Sequence, residues 1–258
     1  MAPKTGNVIA SKRIKNLYEI KASNERENIT VLMTFSADRR TLPPMVVLPY
    51  KRSPNWLKSV QNKKLDWVLG KTESGWMRGE TFLQYVKDVL KVLISKNDVK
   101  RPVLFFVDGH ASHMSLELSN FCSSNIILYA LPPNTTHILQ PADVGDFKGI
   151  KSDYKNILNE WCKRPGSHGS TMNKKNFCDV LEELLNYKDR TTIIQNAFKK
   201  CGLFPFAPYA VDYSKCIQNA LEPLNATVSD LGGDVRGPNV EAPDGVDIWR
   251  VFWRSFWW

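Results

Sequence analysis

Five consecutive apolar residues, Val103-Leu104-Phe105-Phe106-Val107, run directly into Asp108, then Gly109 and the pair His110 and His113. A short run of β-branched and aromatic residues with no polar alternation reads as a strand buried on both faces. A carboxylate at the end of such a strand is costly unless a cation or hydrogen bonds offset its charge. Gly109 is expected to let the chain turn sharply just after it. Functional groups collect at the carboxyl ends of strands in open α/β sheets. Asp108 is therefore expected to be a metal-binding or catalytic carboxylate, and the rest of the chain is read for its partners.

The surrounding pattern predicts an α/β fold. Residues 28–36 form a strand, 38–40 a polar turn, and 42–50 a second strand pairing antiparallel with the first. Pro43, Pro44 and Pro49 bracket that second strand, which points to an edge position. Residues 51–75 read as an irregular connection. Residues 79–96 give the clearest helix, with Phe82, Val86, Val89 and Leu93 at helical spacing. After the Asp108 strand come a short helix over 115–122 and another buried strand over 125–131. Strands alternating with helices imply parallel crossovers.

Pro141 stands where a helix would begin. That helix is expected from about residue 142 to 162, with Val144, Phe147, Ile150, Tyr154, Ile157 and Trp161 on one side. Asp143 falls in its first turn, where the helix dipole favours a negative charge. Lys148, Lys151 and Lys155 line the other side. Helices over 174–185 and 191–201 follow a linker over 164–173, with Gly202 placed to cap the second. Short strands around Val8-Ile9 and residues 17–20 could form a surface hairpin.

Charge placement matters more than its total. The net charge is +9, and residues 1–64 alone hold 13 Lys and Arg against 4 Asp and Glu, again +9. A basic amino-terminal quarter suggests a polyanion such as nucleic acid, or a solvated lysine face. No apolar run reaches the length of a membrane helix. The five cysteines are dispersed without zinc spacing, which fits reduced thiols in a cytosolic or nuclear protein. From Gln218 onward 6 acidic and 3 basic residues, Gly232-Gly233 and several prolines suggest disorder. Yet the last ten residues hold four of the eight tryptophans. That tail is read as an unfolded appendage, or as a short helix with Trp249, Phe252, Trp253, Phe256 and Trp257 on one side serving as an anchor.

Asp108 and Asp143 are 35 positions apart, one ending a strand and the other opening a helix. Two acids so placed can converge on a divalent ion, since Mg²⁺ takes one or two carboxylates and completes its shell with water and phosphate. Asp146, one turn further on, is expected to be a solvated helix position, and His137 a loop hydrogen-bonding residue.

The stretches Val107-Asp108-Gly109-His110-Ala111-Ser112-His113, Ala130-Leu131-Pro132-Pro133-Asn134-Thr135-Thr136-His137 and Leu139-Gln140-Pro141-Ala142-Asp143-Val144-Gly145 resemble the DDE-superfamily endonuclease domain of pogo/tigger/jerky-type transposases. Leu42-Pro43-Pro44-Met45, Pro49-Tyr50-Lys51-Arg52, Ser74-Gly75-Trp76-Met77 and Cys201-Gly202-Leu203-Phe204-Pro205-Phe206 match as well, so the resemblance spans about residues 3–217. It implies an RNase H-like mixed sheet flanked by helices, and metal-dependent DNA cleavage and joining. Asp108 would be the second catalytic aspartate and Asp143 the third, together holding Mg²⁺ or Mn²⁺. His110 and His113 would position a phosphate or pack beside the site rather than ligate. Lys148, Lys151 and Lys155 would contact DNA phosphates or form a plain solvated face.

The family's first aspartate lies on a central strand before the stretch matching Pro3-Lys4-Thr5-Gly6, and this sequence starts at Met1. A truncated copy is therefore expected, with a position unfilled between the 28–36 strand and the Asp108 strand. The resulting layout is a partial endonuclease domain over 1–164, a helical extension over 165–217 and a disordered tail over 218–258. DNA is the expected partner, with no membrane; a homo-oligomer is left open, and the nucleus is the expected location. Three functions stand side by side: a nuclease, a non-catalytic nucleic-acid-binding remnant, and a protein-interaction module acting through the tail.

Overall fold

A computed structural model describes residues 28–63, 66–96, 99, 101–110, 113–122, 125–166, 172–215 and 249–251. The basic segment 1–27 and most of the 218–258 tail, and with them the expected hairpin near Val8-Ile9, lie outside the described residues.

β1 (Thr30–Leu32) and β2 (Thr34–Ser36) are two parts of the first expected strand, interrupted at Met33. A turn at 37–40 leads into β3 (Met45–Pro49), which pairs antiparallel with β1. The edge position expected for β3 is corrected. β3 lies between β1 and β4 (Val68–Thr72), which pairs with it in parallel. Pro43 and Pro44 precede the paired residues and Pro49 ends them, so Met45–Leu48 keep their amides for ladders on both edges.

The expected irregular connection over 51–75 in fact holds α1 (Asn55–Lys63) and β4. Gly70 and Lys71 disguise β4, because neither favours strands. A side chain at Gly70 would come within 2.7 Å of the Met45 methyl and 2.9 Å of Thr81, so glycine is what admits the strand there.

The expected helix over 79–96 forms as α2 (Gly79–Tyr85), a π-helical turn at Val86–Leu90, and α3 (Lys91–Lys96). β5 (Val103–Val107) is the apolar strand that ends at Asp108. It pairs in parallel with β6 (Ile126–Ala130) through the crossover helix α4 (Leu116–Cys122). The second of these strands is not buried as expected: Ile127 and Tyr129 are about half exposed, because β6 ends its row and no described helix covers that face. α5 (Thr136–Leu139), a π-helical turn at Ala142–Asp146, α6 (Phe147–Lys163), α7 (Lys174–Asn186) and α8 (Thr191–Lys200) complete the helices. Gly202 follows α8 at φ +60°, as its capping role requires.

The strands alternate their side chains between two apolar layers. Val46, Leu48, Phe35 and Phe106 pack with Phe147, Ile150, Tyr154 and Phe177 on the α6–α8 side. Met45, Val47, Phe105 and Val107 pack with Phe82, Tyr85 and Leu90 on the α2–α4 side. Helices thus lie on both sides of the strands, with the Ile127–Tyr129 face of β6 left open, an α/β/α arrangement compatible with an RNase H-like fold. The Tyr85 hydroxyl is buried and donates to Thr34 Oγ1 at 2.7 Å, tying α2 to β2.

β7 (Trp249–Val251) comes from the tryptophan-rich end and pairs antiparallel with β2. It also runs beside β5. Residues 249–251, expected to belong to an unfolded appendage or a short helix, are a strand, and β7 lies beside β2 and β5 where the missing first strand was expected to leave a position unfilled.

Candidate active site

Asp108 leaves β5 at the end of a ladder with both faces packed. Its Oδ1 accepts the backbone N–H of His110 at 3.1 Å and lies 2.7 Å from His113 Nδ1. The Asp108 side chain keeps 17% of its surface exposed, whereas His113 is fully buried with its ring centroid 4.2 Å from that of Phe82. The imidazole is therefore held by the core and in turn holds the carboxylate, leaving Oδ2 outside both contacts. The nucleic-acid contact expected of His113 lacks a surface to act from. His110 is exposed and can reach a ligand. The chain bends at Gly109 as expected, but outside the left-handed region, and an added Cβ would meet only Leu131 O at 3.8 Å.

The second acid is carried by a different route. Leu131 N–H donates to Val107 O at 2.8 Å, fastening the end of β6 to the end of β5. α5 then leads into the π-helical turn that carries Asp143, partly exposed, in its first residues. Ala142 before it and Phe147 after it pack in the same apolar cluster as Phe106 and Leu131. The elements bearing Asp108 and Asp143 are thus anchored in one core layer.

The helix expected to run unbroken from residue 142 is α-helical only from Phe147. Such π-helical turns are often found at functional sites. Close approach of α8 explains Gly145, since a Cβ there would lie 2.4 Å from the Ala197 Cβ. Gly145→Ala is expected to cost about 1–3 kcal/mol through overpacking. Urea denaturation measures it; a stability within about 0.5 kcal/mol of the parent would show that α8 can move aside.

Asp146 is the clearest departure from expectation. It is not solvated: it is 2% exposed, and its Oδ1 accepts from Arg190 Nη1 at 2.5 Å. The other Arg190 nitrogen, Nη2, donates to Asp153 Oδ2 at 2.6 Å, and Lys188 Nζ reaches the same oxygen at 2.7 Å. Asp146 and Asp153 are seven positions apart, on the stripe that also holds Ile150 and Ile157. Acids at apolar-stripe spacing were the legible signal for a buried cationic partner. Nothing in the sequence named Arg190 as that partner, because it lies 37 residues beyond Asp153.

The two carboxylates titrate in opposite directions. Burial pushes Asp146 above the ordinary carboxylate value, against the opposing pull of Arg190. Its Oδ2 is buried without a hydrogen bond among the described residues. Burial also pushes Asp153 upward, but hydrogen bonds from Lys188 and Arg190 outweigh it and leave the value lowered. A depressed folded value stabilises the fold above the unfolded-state value and loses that contribution as pH falls through the folded value. A raised value acts the other way, its contribution fading as pH rises through the folded value. Asp153→Asn is therefore expected to flatten the acid limb of the stability–pH curve. Thermal melts from pH 2 to 6 check this, and an acid limb as steep as the parent's would contradict the assignment.

Lys148, Lys151 and Lys155 are exposed along α6, opposite buried Ile150, Tyr154 and Ile157. His137 lies exposed on α5. Cys122, Cys162, Cys178 and Cys201 are free thiols. Among the described residues, no group of three His, Cys, Asp or Glu gathers as a metal centre, so a cation here would rest on fewer protein ligands and take the remainder from water or phosphate.

The helix-covered strands, with one acid at a strand end and another in the turn before α6, are compatible with an RNase H-like domain. The family model described as DDE superfamily endonuclease matches residues 26–198, and the chain belongs to that family. This gives it the ancestry of a transposase-derived nuclease, consistent with the pogo/tigger type. The chain is also similar to the MFS-type transporter clz9 of Cochliobolus lunatus, 26% identical over 185 residues covering 71% of this chain and 20% of that protein. It therefore spans about a fifth of that relative's length. No helix among the described residues is long and apolar enough to cross a membrane. No solved structure matches.

Proposed function

We propose that this chain acts on DNA as a DDE-type nuclease domain, with Asp108 and Asp143 as the carboxylates that hold Mg²⁺ or Mn²⁺. The observation that carries the reading is Asp108 itself: a partly open carboxylate at a strand end, oriented by a fully buried histidine. The donor set is all oxygen, which suits hard divalent cations. A bound cation would supply Lewis-acid stabilisation of the charge that builds on the phosphodiester oxygens. His113 keeps the Asp108 carboxylate in one orientation, so little ordering is left for the moment of binding. Lys148, Lys151 and Lys155 would neutralise backbone phosphates, each contact steepening the salt dependence of binding. On this reading the site of action is the nucleus.

Nicking of supercoiled plasmid in Mg²⁺ or Mn²⁺ is the test. The expected result is nicking that falls to background on Asp108→Ala and on Asp143→Ala. Salt-sensitive DNA binding that both variants retain, without nicking in the parent, would replace this reading by that of a non-catalytic nucleic-acid-binding domain. The small number of acids gathered among the described residues favours that second reading.

A further inference from the structure

The tryptophan-rich end of the chain is not accounted for by the nuclease reading, and its described part, Trp249–Val251, pairs with β2 and runs beside β5. β2 meets Thr41 along one edge and β7 along the other, in the register Thr34↔Val251, Phe35↔Arg250, Ser36↔Trp249. β5 gives one edge to β6 and has β7 along the other side. β2 and β5 contribute to the same core layer through Phe35 and Phe106. The flanking residues Leu32 and Phe105 share the opposite layer. The two strand pairs therefore share both core layers, and β7, paired with β2, also lies beside β5.

Thr34, Phe35 and Ser36 are all essentially buried. Backbone donors and acceptors so placed need partners, and the free edge of β2 finds them in β7. The segment Ile248-Trp249-Arg250-Val251-Phe252-Trp253 is rich in the β-branched and aromatic types that suit strands.

We propose that the C-terminal segment is an intramolecular complementing strand. Its backbone at Trp249–Val251 fills an acceptor slot between β2 and β5, and so fixes β5, with Asp108 at its end, against the rest of the sheet. The slot accepts an extended segment through main-chain pairing, and the occupant is this chain's own end. The proposal stands independently of metal binding or DNA cleavage.

Cross-linking in the full chain tests it. With Cys162, the exposed thiol among the described residues, and Cys216 both replaced by Ser, the pair Ser36→Cys and Trp249→Cys is oxidised with diamide and mapped by non-reducing proteolysis. Cα atoms directly opposite in an antiparallel pair are about 4.5–5.5 Å apart, within disulfide reach. The expected result is an intramolecular 36–249 disulfide in the monomer, formed at least tenfold faster than from the offset pair Ser36→Cys and Val251→Cys. Equal rates for both pairs, or a link formed only between chains, would overturn the proposal. Hydrogen exchange gives a second reading: Arg250→Pro is expected to speed exchange at Thr34–Ser36 at least tenfold while α7 keeps its protection. Unchanged protection at Thr34–Ser36 would overturn it as well. The cross-link is read in a folded chain with residue 250 intact, so it decides the matter even where the proline variant does not fold.

Discussion

Replacing Arg190 by alanine is expected to destabilise the protein by about 3–5 kcal/mol, the range for removing one partner of a buried ion pair. Arg190 is 7% exposed and its fork is divided between Asp146 and Asp153. Without it, Asp146 at 2% exposure would be left charged in the core, or would have to take up a proton. Lys188 still reaches Asp153, so the loss should concentrate at Asp146. Arg190→Lys, which keeps the charge but cannot bridge two carboxylates with a planar fork, should fall between parent and alanine variant. Urea denaturation at pH 7 measures both. A loss for Arg190→Ala of less than about 1 kcal/mol, the scale of an exposed pair, would show that the network is solvated and that Asp146 is not buried as described.

Phe147→Ala is expected to cost a similar amount, about 3–5 kcal/mol, because a large aromatic is removed from a packed core. Phe147 is 1% exposed, and its ring meets that of Phe35 edge-on with centroids 6.5 Å apart. It is the first residue of α6, directly after the turn that carries Asp143. The variant should therefore lose stability and loosen the turn together, seen as faster hydrogen exchange at 142–150. Phe147→Leu, which refills most of the volume, should recover over half of the stability. A full-sized loss for the leucine variant would mean that ring geometry, and not volume, holds the turn. Arg190 grips the turn through Asp146 and Phe147 anchors the residue that follows, so Asp143 is presented from a segment fixed at its C-terminal end.

Much of this was legible from local pattern. The apolar run ending at Asp108 reads as a doubly buried strand because nothing else accommodates five such residues before a carboxylate. The first two strands, the boundaries of α7 and α8 and the cap at Gly202 follow from periodicity and turn chemistry. What escaped depends on distant partners. β4 was hidden because Gly70 is dictated by Met45 and Thr81, not by strand propensity. β3 looked like an edge strand because prolines flank it, and its central position became visible only with β4 in place. Asp146 looked like a surface helix residue until Arg190, 44 positions on, was brought against it. His113 read either as a phosphate contact or as packing beside the site, and the choice between them falls to Phe82 of α2, which buries it. In each case the deciding neighbour lies far away in sequence, beyond any local window.

Asp108 and Asp143 are proposed to serve one divalent ion. Calorimetric titration of Mn²⁺ into the parent, Asp108→Asn, Asp143→Asn and the double variant tests this most directly. The expected result is one Mn²⁺ per chain, at least tenfold weaker binding in each single variant, and a double variant little worse than either single, as two acids on one ion require. Mn²⁺ affinity unchanged in both single variants, or losses that simply add in the double variant, would contradict it.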